Sequence, residues 1–322
     1  MRKTTIGDVS IRAVHACVPS RAVSAADVLR PLLGEKTAAT VRSVGIETLR
    51  LADPGVTPLD LCLASAESVF ARGGVRKDDV GAVVFVSLTE PTRMPSAAVR
   101  VQAKLGLSAD TLAFDVSMAC SGWICGLFLA ASLARQLGRA VLLLDGDVQS
   151  ARLDPQDAGT RAVMSDAGSA TVVAPEAGKS MEFAFLSDGA KGGALTLGGE
   201  GVIRMNGLEV FRFVATEVAD FLKAFGTACA SFAPHQANVY LVRQLARTLG
   251  IDPEKTLVSA DRFGNPGSAS VPLTLADAAK TGVILAAAFG GGLSAGAARF
   301  ELSENVDFRR FDFVGNEESK SP

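Results

Sequence analysis

A cysteine among small residues, placed where a strand-like run ends and a helical pattern begins, can serve as a nucleophile. Cys120 is such a residue. It lies in Phe114-Asp115-Val116-Ser117-Met118-Ala119-Cys120-Ser121-Gly122-Trp123, and from there to Gly138 the sequence holds no proline and only small or apolar residues until Arg135. That pattern predicts a helix buried on most sides with Cys120 in its first turn, where unpaired N–H groups and the helix dipole favour a thiolate. Free cysteine is also a common small core residue. What separates the two readings is whether a base is brought to it. Of the chain's two histidines, His15 falls in a predicted strand, Ile11 to Val18, and is expected to be structural. His235, in Ala233-Pro234-His235-Gln236-Ala237-Asn238, follows a short apolar run and precedes a helical pattern.

The elements that must position these residues alternate between strands and helices, the signature of a layered α/β protein. Helical patterns at Ala25 to Leu33 and Thr57 to Ala71 precede a buried strand at Val80 to Thr89. A helix at Pro95 to Leu105 follows, then the strand Phe114 to Ser117, Cys120 with its helix, and strands at Ala140 to Asp147 and Ser169 to Ala174. The second half echoes this order. Phe232 to Pro234 leads to His235 and a helix to Leu249, then Leu257 to Ala260, Asn265, a helix to Ala279, and strands at Val283 to Phe289 and Ala295 to Leu302. Superposed, the two orders put Cys120 and Asn265 at the same point of each half, with His235 ahead of the second helix. A pseudo-twofold pair of halves would bring all three to the centre. Loose repetition is common in α/β chains, so the echo alone leaves duplication open.

The composition narrows the function classes. With 322 residues, 48% of them hydrophobic, the chain can bury a large core. A formal charge of -2 argues against nucleic acid as a partner, because such a partner calls for a basic surface. Five cysteines (17, 62, 120, 125 and 229) form no CxxC and have no histidine at metal spacing, so neither a disulfide frame nor a metal site is expected. The opening residues lack an apolar core, and the most apolar run, Trp123 to Ala134, is too short for a membrane span. A soluble, cytoplasmic protein is expected.

Pro234-His235-Gln236-Ala237-Asn238 resembles the signature of the β-ketoacyl-acyl carrier protein synthase III group of the thiolase superfamily. Further segments match in order: Phe114 to Cys120 with Ser121-Gly122, Asp166 to Ala170, Gly264-Asn265 with Ser268 to Pro272, and Phe289 to Gly292 with Gly296. The resemblance runs from about Gly45 to Phe300. It implies a five-layered α/β/α/β/α thiolase fold of two duplicated halves, residues 1–175 carrying the cysteine and 176–322 the histidine and asparagine. It further implies a homodimer without cofactor or metal, acting on acyl thioesters and acyl carrier protein. By the same resemblance Cys120, His235 and Asn265 are catalytic, and the backbone N–H groups of Cys120 and Gly291 form an oxyanion hole. Met94, Phe289 and Asn238 are the implied substrate contacts, with Met94 reaching a partner's acyl pocket or serving as an ordinary core methionine. Such a set suits decarboxylative condensation, since neither His nor Asn sets a negative charge beside a developing enolate.

The sequence departs from the group where coenzyme A would be gripped. Ala39, Ser43 and Ala158 stand where a Trp and two Arg are expected, the only Trp is Trp123 beside the nucleophile, and Tyr240 replaces an Arg. A carrier protein or another acyl source is therefore expected as donor, in specialised metabolism or with an unusual starter, and Arg204, Arg212, Arg243 and Arg247 could meet an acidic carrier. The segments Gly189 to Val210 and Leu222 to Pro234 are short for the group. Glu90 is expected at the surface. The rival readings are an acyltransferase passing the acyl group from Cys120 to an alcohol or amine, and a non-catalytic partner subunit.

Overall fold

The computed structural model describes residues 1–315. Its main sheet has nine strands, numbered in chain order: β1 (Thr4–Pro19), β2 (Val80–Val86), β3 (Leu112–Val116), β4 (Ala140–Val148) and β5 (Asp166–Ser187), then β6 (Ser231–Pro234), β7 (Gly282–Gly290), β8 (Ser294–Leu302) and β9 (Asp307–Phe313). Neighbours run β6-β7-β8-β5-β4-β2-β3, with β1 on β5 and β9 on β1. β2 and β4 are buried along their whole length, which is why β2 and the first five residues of β4 read as continuous apolar runs and do not alternate. The 22 residues of β5 join the two halves. Its residues 166–173 pair with β4 and its residues 182–187 pair with β8, so residue 175 falls inside a strand that both halves use.

Six helices complete the layers: α1 (Pro58–Ala71), α2 (Ala97–Leu105), α3 (Gly122–Leu137), α4 (Ala219–Phe225), α5 (Val239–Thr248) and α6 (Ser270–Ala278). α3 packs on β2 and β4 with one face and on β7 and β8 with the other, and α6 likewise touches strands of both halves. These two central helices are mostly buried and largely apolar: α3 is exposed only at its C-terminal end, at Arg135, Gln136 and Leu137, and α6 carries Asp277 near its end. α1 and α2 cover the outer face of the first half, while α4 and α5 cover that of the second through Phe221, Leu222, Phe225, Leu241 and Leu245. The result is the five-layered arrangement of helix, sheet, helix, sheet and helix. Its close central packing depends on small residues, since a Cβ at Gly126 of α3 would lie 2.6 Å from Leu143 Cδ1 of β4.

Three parts differ from the sequence reading. Leu257 to Ala260 is not a strand, because the Gln236 carboxamide oxygen takes the N–H groups of Ser259 and Ala260 that a strand partner would need. β1 and β5 extend well past Ile11 to Val18 and Ser169 to Ala174. β9 was not anticipated, since Asp307-Phe308-Arg309-Arg310-Phe311-Asp312-Phe313 mixes charges with aromatics at an edge of the sheet. Among the described residues, no helix is long and apolar enough to cross a membrane, and no cluster of His, Cys, Asp and Glu is arranged to hold a metal ion.

Candidate active site

The chemistry-bearing side chains gather at the carboxyl ends of strands from both halves, where ligands of α/β sheets characteristically bind. Cys120 follows β3 and lies just before Ser121, the N-cap of α3, rather than in the helix's first turn as expected. Its thiol is buried, and burial pushes its pKa up to about 11. The expected low-pKa thiolate is therefore not the resting state: loss of water outweighs the backbone N–H groups of Gly291 and Cys120, which act on the sulfur in the opposite direction. Both donors anticipated for an oxyanion thus reach the sulfur. Gly290 makes this approach possible, since it has φ +153 and a Cβ there would sit 2.6 Å from Cys120 Sγ.

His235 begins just past β6, its N–H bonded to the Ala287 carbonyl at 2.7 Å. The ring is buried edge-on to Phe289, with centroids 5.5 Å apart and planes at 85°. Nδ1 lies 2.7 Å from Ser270 Oγ at the start of α6. Burial lowers its pKa to about 4, against a smaller opposing effect from the Gly267 backbone, so the imidazole is neutral at physiological pH. Its neighbours are built into the frame. Gln236 bonds the carbonyls of Pro234 and Leu257, and Asn238 caps α5 by accepting the Leu241 N–H at 2.7 Å.

Asn265 is held by its main chain. Its N–H donates to Val163 O at 2.8 Å, and its carbonyl accepts from Ser165 N at 2.9 Å and Gln149 Nε2 at 2.8 Å. Its side-chain Oδ1 accepts the Gly267 N–H at 3.0 Å, leaving the Nδ2 hydrogens as donors without a partner among the described residues. Two cavities meet at Cys120. One, of about 190 Å³, is lined by His235, Asn265, Phe289, Asn238 and Phe211. The other, of about 50 Å³, lies against Thr89, Asp147, Gln149, Leu197 and Gly291. Met164 and Leu195 border both.

The structure thus brings together Cys120, Gly291, His235, Asn265, Phe289 and Asn238. Met94 stands apart, 88% exposed and outside both cavities. Glu90 is a correction: it is buried, not at the surface, because Arg100 lies 2.6 Å away and Leu59 N–H donates to its other oxygen. His15 is fully buried in β1 with Nδ1 3.0 Å from Ser68 Oγ, a structural setting. Trp123 is buried too, donating to Thr171 Oγ1. Sequence reasoning passed over Ser270, Asp147, Gln149 and Thr89. A carboxylate inside the run Leu-Leu-Leu-Asp-Gly-Asp-Val was the available signal, because a charge in a fully buried strand needs partners.

Comparison with known proteins agrees with this geometry. Residues 114–189 match the family described as 3-oxoacyl-[acyl-carrier-protein (ACP)] synthase III, and residues 228–302 match its C-terminal part. The β-ketoacyl-[acyl-carrier-protein] synthase III of Serratia proteamaculans is 33% identical over 285 residues, spanning 80% of this chain and 88% of the relative. Synthase III 2 of Streptomyces coelicolor is 32% identical over 309 residues, spanning 89% and 92%. The crystal structure of a 3-oxoacyl-(acyl-carrier protein) synthase from Burkholderia xenovorans superposes with a TM-score of 0.92 at 27% identity, covering 97% of this chain and 99% of that one. The matched segments hold Cys120, His235 and Asn265, and the chain belongs to the 3-oxoacyl-[acyl-carrier-protein] synthase III family, condensing acyltransferases with the thiolase fold.

Proposed function

We propose that Cys120 takes an acyl group from a thioester donor and that the enzyme then condenses it with a malonyl-type thioester, a malonyl-acyl carrier protein, to give a 3-oxoacyl thioester. The observation that carries this reading is the pair of cavities meeting at Cys120, with His235 and Asn265 on one side only. An extender must bring its thioester carbonyl to those two donors, so its arm enters by the larger cavity. The acyl chain on sulfur then lies in the smaller one.

In the first half-reaction the sulfur–acyl bond forms as the donor's carbon–sulfur bond breaks, and the thiol proton leaves with the donor's thiol. The N–H groups of Cys120 and Gly291 hold the intermediate oxyanion. In the second, carbon dioxide departs and the enolate oxygen rests between Asn265 Nδ2–H and His235 Nε2–H. Ser270 supports this role: when its hydroxyl donates to Nδ1, the imidazole proton stays on Nε2. The enolate carbon attacks the acyl carbon, and the tetrahedral intermediate expels the Cys120 thiolate, which is then reprotonated. The halves 1–175 and 176–322 contribute the nucleophile and the two donors respectively.

The remaining assignments concern partners. Arg243 and Arg247, exposed and one turn apart on α5, form no ion pair among the described residues and suit an acidic carrier protein. The edge strand β3 has Leu112 46% exposed, with Val99 and Met94 also exposed. A second copy pairing there would cover this apolar edge and bring Met94 toward the partner's acyl cavity. The deciding test is intact-protein mass after incubation with acyl-coenzyme A and acyl-carrier-protein donors, with Cys120→Ala as blank, followed by a malonyl-carrier-protein chase. An adduct removed only by the chase supports condensation. Discharge by alcohols or amines marks an acyltransferase, and no adduct with any donor marks a non-catalytic subunit.

A further inference from the structure

The acyl-side cavity has an unusual hydrogen-bond balance for a site meant to hold a hydrocarbon. Leu88, Met164, Leu195, Leu197 and Ile203 give it apolar walls, but Asp147 and Gln149 also line it. Asp147 Oδ1 is saturated, accepting from Ser87 Oγ (2.9 Å), Leu88 N (2.9 Å), Thr89 N (2.9 Å) and Thr89 Oγ1 (2.8 Å). Its Oδ2 accepts nothing among the described residues. Gln149 spends its Nε2 hydrogens on the carbonyls of Asn265 (2.8 Å) and Ser165 (3.3 Å), and its Oε1 likewise has no partner. Both side chains converge beside Gly267, where a Cβ would lie 3.2 Å from Gln149 Nε2 and 3.3 Å from Asp147 Oδ2. Both residues are buried overall, but neither oxygen is fully enclosed, so each keeps some contact with solvent through the cavity, contact that a bound acyl group would displace.

Resting on the reading that the acyl group is carried by Cys120, we propose that this cavity selects a short acyl group bearing a hydroxyl, bound between Asp147 Oδ2 and Gln149 Oε1. A plain alkyl chain would displace water from both acceptors and leave them unpaired, whereas a hydroxyl carries one donor that replaces one of the lost bonds. The hydroxyl suits either state of the carboxyl. It donates to the anion, or it accepts from a protonated Asp147 while donating to Gln149. Burial holds the Asp147 pKa above its ordinary value. The transfer itself forms the Cys120 sulfur–acyl bond, breaks the donor's carbon–sulfur bond and releases the thiol proton with the donor's thiol, leaving the hydroxyl unchanged.

The test is the initial rate of Cys120 acylation, followed by intact mass, with N-acetylcysteamine thioesters of butyrate and of 2-, 3- and 4-hydroxybutyrate. Each runs against wild type, Gln149→Leu and a Cys120→Ala blank. At least one hydroxylated isomer should acylate wild type about tenfold or more faster than butyrate, as sites built to bond a substrate hydroxyl reject the analogue lacking it. Gln149→Leu should reduce that preference. Equal or faster acylation by butyrate than by all three isomers overturns the proposal, as does an unchanged preference in a folded Gln149→Leu. Should that variant fail to fold, the wild-type panel decides alone. Absence of any Cys120-dependent adduct overturns both this proposal and the catalytic reading beneath it, whereas a butyryl adduct alone overturns only the hydroxyl specificity.

Discussion

Replacing Asn265 should separate the two proposed half-reactions. The segment is anchored through its main chain, by bonds to Val163, Ser165 and Gln149 at 2.8 to 2.9 Å that survive any side-chain change. Asn265→Ala therefore removes one supporting bond, the Gly267 N–H to Oδ1 at 3.0 Å, at roughly 0.5–1.5 kcal/mol of stability. It also removes the Nδ2 donors proposed to hold the enolate. Losing one such donor costs about 2.7–4 kcal/mol of barrier, or roughly 100- to 1,000-fold in the condensing step. The proposed acylation step draws on the N–H groups of Cys120 and Gly291, so its rate should stay within about threefold of wild type, less than 1 kcal/mol. Asn265→Asp keeps the Gly267 contact but sets a carboxylate where negative charge develops, and should condense more slowly than the alanine variant. Single-turnover mass measurements give acyl transfer to Cys120 and its discharge by malonyl carrier protein separately. Equal losses in both steps, or an aspartate variant faster than alanine, would refute the assigned division of labour.

The pKa values predict two pH effects. With the Cys120 thiol near 11, iodoacetamide alkylation of the free enzyme should rise through pH 8 to 10 with no plateau near neutrality; a plateau by pH 8 would contradict burial as the dominant effect. His235, lowered to about 4 from 6.5, stays neutral in the folded protein while the unfolded chain takes up a proton. Its contribution is thus full above pH 6.5 and falls away as pH drops toward 4, by up to about 3 kcal/mol, a loss that His235→Gln should largely remove from a denaturant-melt series. Gly290→Ala should abolish acylation, because its Cβ would fall 2.6 Å from Cys120 Sγ; retained alkylation and acylation would show that the backbone relaxes. Leu112→Glu on the β3 edge should shift sedimentation toward monomer, and an unchanged sedimentation profile would locate any dimer contact elsewhere.

The local setting of the candidate residues was legible in the sequence because each lies in a short contiguous stretch. The approach to Cys120, the Pro-His-Gln-Ala-Asn run and Gly264-Asn265 each announce a strand end or turn, and each lies at such a place in the fold. The layered architecture was legible too, since the burial of β2, of the start of β4 and of most of α3 writes itself into long apolar runs. Tertiary structure decided what depends on environment. A helix start suggests an acidic thiol, but burial at the centre of five layers overrides it and raises Cys120 instead. Glu90 looked like a loop carboxylate until Arg100, ten residues on, drew it inside. The pairing of Ser270 with His235, and the two unpartnered oxygens of Asp147 and Gln149 beside the nucleophile, arise from segments tens of residues apart in sequence. Hydrogen-bond satisfaction is a property of the folded neighbourhood, and no local spacing encodes it.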